Sequence, residues 1–160
     1  MLGKIEKIEI ITNFKIEHIA PPTGDKDQAR MGMAQMINAV FGGHQEMDGY
    51  QVVTDKTKYM VLIDNGQSCC ESWGYLANED DLSVFIGATL KSVELTDTVL
   101  NKTQVERSDN YYGDGGGIQF VDFVTDKGVF QLSVYNSHNG YYGHGILVAK
   151  DNEIVLNDTI

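Results

Sequence analysis

From Tyr50 to the end of the chain the apolar residues fall in short runs, most of them with a period of two, and the runs stop at clusters of Asp, Asn and Gly. Alternation of that kind, broken by residues that tolerate positive φ, is the pattern of strands joined by tight turns. Tyr50-Gln51-Val52-Val53-Thr54 and Tyr59-Met60-Val61-Leu62-Ile63 are the first two such runs, and Asp64-Asn65-Gly66 ends the second. Leu90 to Leu95 and Ile118 to Thr125 read as further strands, with Asp126-Lys127-Gly128 turning the chain into Val129 to Tyr135. His144 to Ala149 and Ile154 to Leu156 flank Asp151-Asn152, which makes a second hairpin. Glycine is plentiful at 17 residues against 2 prolines, as many tight turns require.

The first third of the chain has another period. Ile5 to Ile11 reads as a strand, and Pro21-Pro22 interrupts regular structure. Met33, Met36, Ile37, Val40 and Phe41 then recur at helical spacing on one face. Asp25 with Gln28 marks an N-terminus for that helix and Gly42-Gly43 an end. The sequence therefore predicts an α+β domain, a mainly antiparallel β-sheet with one N-terminal amphipathic helix packed on it. A chain of 160 residues suits a single domain over 1–160, with the N-terminal strand and helix in 1–45 and a β-rich region over 50–157. Gly3 to Ile10 and Gly87 to Leu95 echo one another with an offset of one residue, too little to define a repeat from sequence.

Charge narrows the function classes. Lys and Arg number 12 against 23 Asp and Glu, a formal net charge of -11, so the field of the protein repels phosphate backbones and attracts basic surfaces. Direct binding of nucleic acid is not expected. No apolar run is long enough for a membrane span, and the first residues carry no signal-peptide pattern, so the cytoplasm of a host cell is the expected compartment. The segment from Tyr59 to Leu90 holds Asp64, Glu71, Glu79, Asp80 and Asp81 without a Lys or Arg, and Ser108 to Asp126 repeats the pattern with Asp109 and Asp114. Between Gly128 and Ala149 there is no charged residue, and Tyr, Asn, Ser and Gly dominate, a composition that suits contact surfaces.

Asp64-Asn65-Gly66 followed by Cys69-Cys70-Glu71, Ile86-Gly87 and Val93-Glu94, together with Thr125-Asp126-Lys127-Gly128 and Asn139-Gly140-Tyr141-Tyr142, resembles an uncharacterised domain family common in bacteriophages and prophages. The resemblance covers roughly residues 58–149. It implies a phage or mobile-element origin and an accessory role, and it brings no reaction with it.

Catalytic and metal chemistry find little support. Cys69 and Cys70 are adjacent, with no Cys-x-x-Cys or His-x-x-x-His pair, and His138 and His144 lie on a distant segment. A Cys70 thiolate with a His base would sit among carboxylates, which raise the thiol pKa and reduce the nucleophile. The loop at Asp114-Gly115-Gly116-Gly117 lacks the Gly-Lys-Ser/Thr ending of a phosphate-binding loop. No catalytic residue, metal or cofactor is assigned, and the protein is expected not to be an enzyme. The leading expectation is a binding protein that inhibits a host macromolecule, such as a defence nuclease of CRISPR or another type, through its acidic faces. Asp64, Glu71, Glu79, Asp80, Asp81, Asp109 and Asp114 would supply charge; Tyr111, Tyr112, Asn139, Tyr141 and Tyr142 would supply contacts. The alternative is a protein that sequesters a nucleotide signal between tyrosines, Asn136 and Asn139, with Arg30 and Arg107 for its phosphates. Exposed strand edges and the Tyr-rich segment also suit a homodimer.

Overall fold

The structure is a computed structural model that describes residues 1–15, 46–66, 72–79, 81–96, 117–137 and 145–160. Among them nine strands and one short 3-10 turn succeed one another. The strands are β1 (Ile5–Lys15), β2 (Glu46–Thr54), β3 (Lys58–Asp64), β4 (Ser72–Ala77), β5 (Leu90–Thr96), β6 (Gly117–Thr125), β7 (Gly128–Ser137), β8 (Gly145–Lys150) and β9 (Glu153–Thr159). The turn η1 (Leu82–Phe85) lies between β4 and β5. All strand pairs are antiparallel, and they form a five-stranded sheet in the order β1-β2-β3-β8-β9 and a four-stranded sheet in the order β4-β7-β6-β5.

The expected α+β class is overturned. The described residues hold no α-helix, and the fold they form is two antiparallel sheets packed on each other. The physical reason is that the apolar face of each sheet is covered by the other sheet, so the main core needs no helix. The segment assigned to the amphipathic helix, residues 25–43, lies outside the described residues.

Period two explains which side chains meet. Tyr50 and Val52 of β2, Tyr59, Val61 and Ile63 of β3, and Ile146 and Val148 of β8 face the four-stranded sheet, where Val121, Phe123, Phe130, Leu132 and Val134 receive them. Phe123 and Phe130 stack at 4.9 Å with planes 4° apart, and Tyr59 meets Phe123 edge-on at 6.1 Å. The other parity of the five-stranded sheet builds a second buried cluster of Met47, Met60, Leu62, Leu147 and Ala149. Burial on both faces is why the run Tyr59 to Ile63 is apolar throughout rather than alternating.

The faint sequence echo is a structural repeat. Ile5 pairs with Thr54 and Leu90 with Thr125; each pair is followed by a register shift, after which Ile8 meets Val52, Val93 meets Phe123, and Glu9 and Glu94 oppose Gln51 and Asp122. Both hairpins that follow begin with Thr-Asp-Lys. The Thr54 hydroxyl accepts the Lys56 amide at 3.1 Å and the Thr125 hydroxyl accepts the Lys127 amide at 3.1 Å. Asp55 accepts the Lys4 amide at 2.8 Å, and Asp126 accepts the Thr89 amide at 2.9 Å. Lys4 and Thr89 themselves form an antiparallel bridge where the two sheets join. The backbone bonds around it come in equivalent pairs: Ile5 to Ala88 (2.9 Å) with Leu90 to Gly3 (2.8 Å), and Leu2 to Leu90 (2.8 Å) with Gly87 to Ile5 (2.7 Å).

The correspondence extends to the fourth strands. Val61 opposite Val148 and Ile63 opposite Ile146 match Leu132 opposite Ala77 and Val134 opposite Tyr75. The fold is thus two four-stranded units, β1 to β4 and β5 to β8, related by a pseudo-twofold at the Lys4–Thr89 bridge. Each unit gives its fourth strand to the other's sheet, so neither sheet is made from one half of the chain.

The β8–β9 hairpin closes on Asp151 and Asn152, both at positive φ as a two-residue turn of this hand demands. Asp151 also clamps the β2–β3 turn, accepting the Thr57 hydroxyl at 2.7 Å and the Lys58 amide at 2.9 Å. The Thr57 bond above all, aided by the Lys58 amide and the nearby lysine charges and opposed by slight burial, holds its carboxyl below the ordinary 3.8. A depressed native pKa stabilises the fold above the ordinary carboxyl range, and that contribution is lost as pH falls through the native value. Asp151→Asn keeps a residue tolerant of positive φ and is expected to lose less thermal stability than the parent between about pH 5 and pH 2. Parallel melting curves for the two proteins across that window would show that the clamp contributes nothing.

Candidate functional site

A cleft of about 340 Å³ opens at one corner of the sandwich. That size lies at the lower end of ligand pockets, roughly 300–1,000 Å³. Ile8, Glu9 and Ile10 of β1 and Tyr50 of β2 form one wall; Ala77 at the end of β4, Glu79 and Leu82 of η1 form the other. The floor is apolar because Tyr50 and Ala77 belong to the inter-sheet core and Ile8 and Leu82 pack against it. The mouth is acidic. Glu9 accepts a bond from Gln51 Nε2 at 2.7 Å, the cross-strand neighbour that fixes its orientation, and Lys7 approaches its other oxygen at 3.2 Å. Lys7 is well exposed, and exposed pairs of this kind contribute ~0–1 kcal/mol, so the lysine is readily displaced.

Tyr50 meets Tyr75 of β4 edge-on at 5.4 Å. Burial first, then the neighbouring Tyr75 and Tyr135 phenols, pushes the Tyr50 hydroxyl up to about 12, so it stays neutral at physiological pH. Burial and the charge of Asp48 raise Tyr75 as well. The cleft therefore offers two carboxylates and neutral aromatic and aliphatic surface. Among the described residues no group of three or more His, Cys, Asp or Glu is placed to hold a metal ion.

The acidic residues singled out from sequence separate into different roles. Glu79 is exposed at the cleft. Asp81 caps η1, accepting the Ser83 amide at 2.9 Å, and the Ser83 hydroxyl lowers its carboxyl pKa. Asp64 is buried at 7% exposure and its Oδ1 accepts the Gly66 amide at 2.8 Å, so it shapes the end of β3 rather than an acidic surface. Asn136, a base reader in the nucleotide alternative, is fully buried and donates to the Ile160 carbonyl at 3.0 Å, which makes it part of the packing. Glu71, Asp80, Asp109, Tyr111, Tyr112, Asp114, Asn139, Tyr141 and Tyr142 lie outside the described residues, as do Cys69, Cys70, His138, His144, Arg30 and Arg107. Sequence reasoning missed Glu9, Ile8 and Tyr50. The one trace of Ile8 and Glu9 was the charge alternating with isoleucine along β1, which also fits any edge strand, and Tyr50 of β2 read only as a strand residue.

A family model described as Domain of unknown function (DUF7448) matches residues 3–148. The chain belongs to the DUF7448 family. The match runs from β1 into β8 and so takes in both repeat units, more than the 58–149 stretch that carried the resemblance in sequence. A curated relative, “Uncharacterized protein L278” of Acanthamoeba polyphaga mimivirus, is 29% identical over 89 residues, which is 55% of this chain and 66% of that protein. The alignment thus spans just under two thirds of the relative. No solved structure matches the chain. No helix among the described residues is long and apolar enough to cross a membrane.

Proposed function

We propose that this DUF7448 protein is a non-enzymatic viral accessory protein that binds a host protein with a basic surface, a nucleic-acid enzyme of host defence being the target class, and inhibits it. The observation that carries the reading is the cleft, where an apolar floor lies between Glu9 and Glu79 in a protein of net charge -11. Carboxylates around apolar surface complement a groove built for phosphates, and long-range attraction speeds such encounters. The viral relative supports the setting.

Affinity capture of the tagged protein from host lysate tests this. Recovery of a basic partner at about 0.1 M salt and its loss at about 1 M is expected, because the Debye length falls from ~10 Å to ~3 Å. Glu79→Lys should reduce recovery at least several-fold. A partner whose capture ignores both salt and that substitution would remove the acidic cleft from the function.

A further inference from the structure

The pseudo-twofold shows what the cleft is. In the second unit, β8 continues through the Asp151-Asn152 turn into β9, which pairs along its outer edge with Val148 opposite Leu156. In the first unit the equivalent strand is β4, but the chain after it runs through Asn78 and Glu79 into η1 instead of returning as a strand. Among the described residues β4 pairs with β7 alone. The Tyr50–Tyr75 contact places β4 across from β2, so the next strand position beyond β4 lies across from β1. That is the corner where Ile8, Glu9 and Tyr50 face Ala77, Glu79 and Leu82. By the pseudo-twofold Ala77 corresponds to Val148, so the cleft at Ala77 corresponds to the place where Leu156 of β9 pairs with Val148 in the other unit.

We propose that the cleft receives an extended segment of the partner protein, added to the edge of β4 as β9 is added to β8, with aliphatic side chains on the apolar floor and a Lys or Arg between Glu9 and Glu79. Strand addition suits an exposed sheet edge, where backbone bonds give affinity and alternate side chains give selectivity. The charge requirement follows from the two carboxylates: β9 itself, with Glu153 and Asp158, would be repelled there. This proposal rests on the binding function above and specifies its mode.

The test uses the full chain and two peptides that follow residues 153–158 of β9. One is acetyl-Lys-Ile-Val-Leu-Asn-Lys-amide and the other keeps the acidic ends, acetyl-Glu-Ile-Val-Leu-Asn-Asp-amide. The basic peptide should bind saturably, shift the backbone amide resonances of β4 and of Ile8 to Ile10, and weaken about tenfold in the Glu9→Gln/Glu79→Gln protein. n-Hexylguanidinium, which carries the cation and an apolar chain without a peptide backbone, should bind at least tenfold more weakly than the peptide. Equal binding of the acidic peptide, equal affinity for n-hexylguanidinium, or shifts confined to β8 and β9, which would mean exchange with β9, each overturns the proposal. If peptide binding fails while lysate capture stays sensitive to salt and to Glu79→Lys, only strand addition is refuted; the reverse result refutes the functional reading alone.

Discussion

Phe130→Ala is expected to destabilise the fold by about 3–5 kcal/mol, the range for removing a fully buried phenylalanine. Phe130 is 0% exposed and touches aromatic partners on two sides, Phe123 stacked at 4.9 Å and Phe85 tilted at 4.9 Å. It is also the repeat equivalent of Tyr59, the first core residue after each Thr-Asp-Lys hairpin, so the cavity would open in the core between the two sheets. Phe130 and Phe123 lie on paired strands of one sheet, whose backbone ladder limits collapse into the space. Chemical denaturation should show a lower midpoint with an unchanged slope, and Phe130→Leu should recover a large part of the loss. A change below about 1 kcal/mol for the alanine variant would mean that the aromatic stack is not a central part of the core.

Gly49→Ala should destabilise by at least about 2–3 kcal/mol, toward the upper end of the range for overpacked positions. Gly49 pairs with Leu62, and a Cβ there would run into the Val61 carbonyl oxygen and lie 3.0 Å from the Leu62 Cα. Both obstacles are backbone, so relief requires β2 to move off β3, and the neighbouring Tyr50–Val61 pair holds a core position. Gly87 makes the contrast. Its φ is +83 and a Cβ would meet nothing within 4 Å, so Gly87→Ala carries only the left-handed strain of ~1–2 kcal/mol. Thermal melts of the two variants side by side decide the matter: if Gly49→Ala is no worse than Gly87→Ala, close approach of the strands is not what fixes glycine at 49.

The candidate site was legible only in part. Glu79 stood out because its surroundings in sequence lack basic residues, and it does line the cleft. Asp64 stood out for the same reason and is buried, since an Asp next to Asn-Gly is equally a turn former whose carboxylate bonds the following amide. Charge along the chain does not distinguish those roles. Glu9 could not be found, because it comes to line one cleft with Glu79 only when β1 and the end of β4 are brought to one corner.

The sequence by itself determined the local elements. The hairpins at Asp126-Lys127 and Asp151-Asn152 and the apolar alternation of β2, β6 and β7 follow from turn chemistry and side-chain period, which act between near neighbours. Tertiary structure decided how the strands were shared out. The exchange of β4 and β8 between sheets depends on contacts between residues far apart in the chain, and alternation of apolar residues is identical for a strand in either sheet. The repeat was hidden for a related reason: its core positions require only apolar side chains of suitable size, so Tyr59 and Phe130 or Ile5 and Leu90 can differ while occupying the same place. Thr-Asp-Lys persisted in both hairpins because its hydroxyl and carboxylate make specific bonds to the turn and to Lys4 or Thr89, which leaves few other residues able to serve.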